Sequence, residues 1–134
     1  MPAIQQRTAV CSCGANSITL TGDPLGVSIC HCFACQKRSG APFAQQARYA
    51  KYNVQTQGHT HCYSRTADSG NVAHFYFCPQ CATTLYYQLE VAPEYIAVPV
   101  GLLSDPAFPA PNYSVYEDRM HHWITLPVDM EHLA

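Results

Sequence analysis

Charge is scarce in this chain. Acidic and basic side chains make up 12% of the residues, and seven Lys and Arg against nine Asp and Glu leave a formal net charge of −2. No basic run stands out, which argues against nucleic acid as a partner, since phosphate binding draws on clustered positive charge. Long apolar runs are missing too: none approaches the roughly 20 residues that span a bilayer. The N-terminus, Met-Pro-Ala-Ile-Gln-Gln-Arg, lacks the apolar stretch of a signal peptide. These absences point to a soluble, cytoplasmic protein in a reducing compartment, with no membrane and no nucleic acid. No repeat of about 20–50 residues and no low-complexity tract is visible, which excludes solenoids and linkers. At 134 residues, the chain reads as a single domain covering 1–134.

Long helical periodicity is also lacking. What remains is a series of short strands broken by turn residues. Strands are expected at Ile18–Thr21, Val27–Cys30, Tyr52–Thr56, His59–Ser64, Val72–Phe77, Thr83–Leu89, Tyr95–Val100, Tyr113–Tyr116 and Trp123–Leu126. Pro106, Pro109 and Pro111 make Asp105–Asn112 an extended connector. Helix is expected only as a turn or two at Phe33–Arg38 and around Tyr49–Lys51. The class is therefore mainly β and loop-rich.

Cysteine, by contrast, is abundant, with eight residues. In a reducing compartment such residues bind metal or do chemistry more often than they form disulfides. Cys11-Ser-Cys13-Gly14 precedes a strand, and Cys78-Pro-Gln-Cys81 sits between two aromatic-rich runs that read as a hairpin with a metal knuckle at its tip. Each pair offers two thiolates from one tight turn. Facing each other, the pairs complete a four-cysteine structural zinc site; the alternative is that Cys11 and Cys13 are unmetallated core residues. The residue after such a knuckle is commonly Gly, which tolerates a positive φ, and here it is Ala82.

Cys30, Cys32 and Cys35 form a C-x-C-x-x-C cluster with three soft ligands and no evident fourth. A structural zinc fills four positions with protein, whereas a catalytic one keeps a position open. Three thiolates on Zn2+ leave a net charge of −1, which suits holding a substrate thiolate better than acidifying water. His31, or a distant histidine, is the alternative that would close the site. Beside the cluster, Lys37 and Arg38 are candidates to hold a substrate carboxylate, against a reading as a solvated basic turn. Arg48, Lys51, Arg65 and Arg119 are further cations of that kind. His59 and His61 read as a polar strand face rather than a metal pair, and Cys62, alternating with them, as a buried inert thiol. His121-His122-Trp123 is expected to pack a final strand against the body.

The motifs C-x-C-G at Cys11–Gly14, C-H-C-x-x-C at Cys30–Cys35 and F-C-P-x-C at Phe77–Cys81 stand in the order and spacing of a known family. Gly101–Pro106, similar to G-x-L-x-D-P, and Arg119–Trp123, an R-x-x-x-W, follow in the same order. The chain resembles the glutathione-dependent formaldehyde-activating enzymes, a family that includes centromere-protein-V-like proteins, over about residues 11–123. The resemblance implies an Mss4-like fold of coiled antiparallel β-sheets organised around zinc. It implies a structural zinc on Cys11, Cys13, Cys78 and Cys81 and a catalytic-type zinc on Cys30, Cys32 and Cys35. It implies a carbon–sulfur lyase acting on glutathione and formaldehyde. Ala82 and Ser114, which stands where the family often has His, depart from the pattern. Two other readings accompany it: a reaction on another small thiol, and a zinc-ordered β-module that binds a protein partner.

Overall fold

Alternation of side chains along short strands sorts the chain into two sheets with three distinct surfaces. The computed structural model describes residues 5–133. In chain order the elements are β1 (Gln6–Val10), β2 (Ser17–Thr21), β3 (Gly26–Cys30), α1 (Phe33–Ser39), β4 (Ala44–Ala50), β5 (Val54–Gln57), β6 (His61–Thr66), β7 (Val72–Phe77), β8 (Thr84–Leu89), β9 (Ala92–Pro99), β10 (Tyr113–Val115) and β11 (Glu131–Leu133). One sheet has the order β1-β2-β5, and the other the order β11-β10-β3-β4-β9-β8-β7-β6. All pairings are antiparallel except β10 with β3 and with β11.

Opposed residues of paired strands share a face. Val27 lies opposite Ala47, Ala47 opposite Val98, and Tyr49 opposite Ile96. These residues, with Leu85, pack on Ala9, Ile18 and Leu20 of the three-stranded sheet to make the main core. The other face of the large sheet carries the alternate positions. Cys30 lies opposite Ala44, Ser28 opposite Gln46 and Tyr113, Tyr87 opposite Ala97, and Phe75 opposite Tyr87 and Tyr63. That second face is partly polar, and it holds the three-cysteine cluster.

The chain passes between the sheets at β2–β3, β4–β5 and β5–β6, and the last of these crossings turns at Gly58. Its φ is +110°, and a Cβ there would stand 2.3 Å from Asn16 Oδ1. Only glycine permits this approach. The Asn16 side chain in turn donates to the His59 carbonyl at 3.0 Å.

The expected β7–β8 hairpin, β2, β3 and the helix at α1 are present. Several expectations are corrected. Tyr49 belongs to β4, and only Lys51–Asn53 turns as a 3-10 helix. Trp123–Leu126 is not a strand: Trp123 is 61% exposed, and the last strand is β11, parallel to β10. Cys62 is exposed rather than buried, because β6 is the edge strand and its face bearing Cys62 has no layer over it. The proline connector has no regular structure, and it is anchored by buried Phe108. Among the described residues, no helix is long and apolar enough to cross a membrane.

Leu85, 1% exposed, faces the core from the strand that follows Cys81. Leu85→Ala should therefore cost about 2–5 kcal/mol of unfolding free energy, measured by denaturant titration of the metal-loaded protein.

Candidate metal centres

Cys11 and Cys13 lie in the turn between β1 and β2, and Cys78 and Cys81 at the tip of the β7–β8 hairpin. Gly14, at φ +81°, donates its N–H to the Cys11 carbonyl at 3.1 Å and so folds the first pair into a tight loop. In the second, Cys78 N–H donates to Thr83 at 3.0 Å, and Ala82 N–H to Cys78 at 2.8 Å. The four sulfurs lie within 4.8 Å of one another. Cys13 Sγ is 3.7 Å from Cys11 Sγ and 3.6 Å from Cys78 Sγ. A tetrahedron with Zn–S bonds of about 2.3 Å needs sulfurs about 3.8 Å apart, so this donor set fits a four-thiolate zinc. The Thr83 hydroxyl, then its N–H, hydrogen-bonds to Cys81 and brings that thiol down to about 5; backbone N–H groups of Cys81 and Gln80 lower Cys78. The surroundings thus favour thiolates at Cys78 and Cys81, whereas Cys13, although the Ala15 N–H lowers it, is pushed up to about 11 by burial and the neighbouring sulfurs.

The second cluster sits where β3 meets α1. Cys30 ends the strand, and Cys32 caps the helix, its sulfur accepting from the Cys35 N–H at 3.3 Å. Gly40, left-handed at φ +70°, closes the helix one turn after Cys35. All three cysteines are buried, their sulfurs lie within 4.8 Å of one another, and Cys30 Sγ and Cys32 Sγ are 3.5 Å apart. Among the described residues no other cysteine, histidine or carboxylate joins the group. The adjacent Cys30 side chain, then Cys32 and the guanidiniums of Arg38 and Arg65, bring the Cys35 thiol down to about 6, while Cys35 and burial push Cys30 up. Three buried sulfurs this close together are a fitting donor set for zinc.

His31 is not a ligand here, although it stands between two of the cysteines. It is 0% exposed and turns to the opposite side, where Nε2 lies 3.1 Å from Ser114 Oγ on β10. Burial lowers its pKa and keeps the ring neutral. Ser114, one of the two departures from the family pattern, is thus the partner of the residue inside the cluster. Gln36 of α1 bridges further: its amide donates to the carbonyls of His31 at 2.8 Å and Arg119 at 3.1 Å, and its oxygen is 2.9 Å from His121 Nε2. Of the expected trio His121-His122-Trp123, His121 therefore attaches the C-terminal segment to the helix, while Trp123 is exposed.

A cavity of about 250 Å3 lies against the three cysteines, walled by Gln46, Arg65, Phe75, Tyr87 and Tyr113 among others. Burial raises the Tyr87 phenol and keeps it protonated. Lys37 and Arg38 do not line this cavity. They border a neighbouring one of about 460 Å3, which shares Ala34, Arg65 and Phe75 with the first. The other cations divide. Arg119 pairs with Asp68 in the β6–β7 turn, Arg48 stacks on Tyr95 at 4.9 Å, and Lys51 lies by an open cavity at Leu25 and Tyr52. His59 and His61 touch edge to face at 5.5 Å, both exposed, outside either group of candidate ligands. Tyr87 and Gln46 were not flagged by the sequence; only the β3–β4 and β8–β9 registers bring them to the cluster.

The family model of the glutathione-dependent formaldehyde-activating enzymes matches residues 6–119. The chain belongs to this family. Its mainly β architecture of two sheets is the family's Mss4-like fold. Among curated proteins none matches. A solved Rhodobacter sphaeroides protein from structural genomics is similar at a TM-score of 0.58 and 22% identity, over 74% of this chain and 91% of that one; the likeness is one of fold. Membership carries a glutathione and formaldehyde theme at the level of the family.

The departure at Ala82 has a measurable cost. Its φ is +64°, a region that burdens a residue with a Cβ. Ala82→Gly relieves that strain but loosens the unfolded chain, so the gain should be below about 1 kcal/mol, read as a rise in Tm of a few degrees by calorimetry.

Proposed function

We propose that the protein is a zinc-dependent carbon–sulfur lyase of the glutathione-dependent formaldehyde-activating type, which adds a glutathione-like thiol to formaldehyde or a related small aldehyde. The observation that carries this reading is the buried cluster of three sulfurs bordering a cavity, with no fourth protein ligand among the described residues. Family membership supports it. In this reading residues 1–134 form one unit with two zincs, working among the reduced thiols of the cytoplasm.

Cys11, Cys13, Cys78 and Cys81 would hold a structural zinc. Cys30, Cys32 and Cys35 would hold the second, which when bound supplies Lewis acidity and a coordination position for a thiolate. The protein's own groups do the rest. Phe75 and Tyr87 border the cavity and restrict water around the reactants. Lys37 or Arg38 holds a carboxylate of the thiol. The thiol gives its proton to solvent. Its sulfur forms a bond to the carbonyl carbon, and the carbonyl π pair moves to oxygen. That oxygen takes up one proton from solvent, so one thiol and one formaldehyde become one S-hydroxymethyl thioether with nothing left over. The Tyr87 phenol, held protonated, donates a hydrogen bond to the oxygen as its charge develops. Thiols add to formaldehyde readily without help, so holding both reactants together is the main contribution.

Exchange NMR of glutathione and formaldehyde tests this. The zinc-loaded protein should speed adduct formation above the protein-free rate, and Cys32→Ser should return it to that rate while losing one of two zincs by metal analysis. A wild-type rate equal to the protein-free one would sink the lyase. Tyr87→Phe should lower kcat by about tenfold to a hundredfold with little change in the KM for the thiol; an unchanged kcat removes Tyr87 from the reaction.

A further inference from the structure

The arginines of this chain are not treated alike. Arg7 pairs with Asp23, and Arg119 with Asp68. Among the described residues, Arg38 and Arg65 form no ion pair, and Arg38 Nε is buried without a hydrogen-bond partner. Both are half-buried. Both lie on one ring: the guanidinium carbon is 5.1 Å from the Phe75 centroid for Arg38 and 4.9 Å for Arg65. Arg38 also lies 5.5 Å from the Tyr87 ring. Aromatic faces steady a cation but leave its N–H groups unused. A half-buried charge without a paired carboxylate is costly: the 460 Å3 cavity holds Lys37, Arg38 and Arg65 and no carboxylate, and the carboxylate on the cysteine cavity, Asp68, is taken by Arg119.

Position adds a second constraint. Phe75 and Arg65 border both the cysteine cavity and the cationic one. They do so because β6 and β7 pair with Arg65 opposite Ala73 and Tyr63 opposite Phe75, so Arg65 and Phe75 share the functional face. A ligand whose sulfur reaches the three cysteines shares their cavity with Arg65 and Phe75, and Arg38 borders the adjoining one. A guanidinium fork matches a carboxylate with two parallel hydrogen bonds.

We propose that Arg65, acting with Arg38, is a specificity-determining residue that binds a carboxylate of the thiol substrate at the junction of the two cavities, so that the protein selects thiols bearing a carboxylate away from the sulfur over neutral thiols. The inference rests on the proposed function for the identity of the ligand as a thiol. The competing account is that both guanidiniums serve only to neutralise the cysteine cluster. In that case their loss weakens anionic and neutral thiols alike.

The test uses the zinc-loaded protein and the variants Arg65→Met and Arg65→Lys. Methionine keeps an apolar stem against Phe75, and zinc content with near-UV circular dichroism reports whether the fold is kept. S-methylglutathione, which keeps the carboxylates but has no free thiol, is titrated calorimetrically. It should bind the wild type, bind about tenfold or more weakly to Arg65→Met, and recover in part with Arg65→Lys. Added salt should weaken it. The preference in kcat/KM for glutathione over its neutral diester should fall by a similar factor through KM, with kcat little changed. Equal loss for glutathione and diester, or S-methylglutathione binding that ignores Arg65, overturns the inference and leaves the lyase reading intact. Arg65-dependent binding of S-methylglutathione without adduct formation above the protein-free rate upholds the anion site and removes the lyase.

Discussion

The pairing of β4 between β3 and β9 is the constraint on which the other features hang. Its register puts Ala47 and Tyr49 into the core and Gln46 beside Ser28 on the opposite face. A slip of one residue would exchange the two sets and drive Gln46 into an apolar layer, so burial on one side enforces polarity on the other. Because Cys30 closes β3 on the polar side, the three-cysteine cluster, the cavity and the guanidiniums of Arg38 and Arg65 come to share one surface.

The four-cysteine group serves a different end. It lies at the tips of two hairpins, one from each sheet, and Ser12 and Thr83 hydrogen-bond across the same junction at 3.2 Å. A bond network there fixes the angle between the sheets, while the cavity with its three cysteines faces away from the shared core. In the proposed reading, shape and chemistry are thus held by separate sulfurs. That separation lets the second set carry an incomplete ligand shell.

Much of this was legible in the residues, for identifiable reasons. Both cysteine groups could be read because the trio, and each of the two pairs, is close in sequence and the chemistry of sulfur is specific. The β7–β8 hairpin could be read because Cys-Pro-Gln-Cys interrupts two aromatic runs. β4 could not: Ala44–Ala50 contains three alanines, two glutamines and an arginine, a composition that carries no strand signal, and tertiary burial alone makes it central. β1 carries as little signal, and β11, exposed along its length, is a strand only through its pairing with β10. Cys62 was misplaced because alternation says which residues share a face but not whether a second layer covers it. Arg65 was one cation among several until the β6–β7 register put it beside Phe75.

The two sulfur groups also differ in how much chain each must close. Cys30, Cys32 and Cys35 sit within six consecutive residues, whereas Cys13 and Cys78 are 65 apart. Loop closure makes the short set cheap to assemble even in a disordered chain and the long set dependent on tertiary structure. A metal ion met during synthesis can be captured by the local trio before any sheet exists, and such capture favours the unfolded chain as much as the folded one. The distant pair of turns would gain an ion only as the sheets dock, so that binding energy would go to folding itself. Chelation would accordingly act on two clocks: stripping the trio leaves the architecture standing, and stripping the knuckle lets the hairpins part.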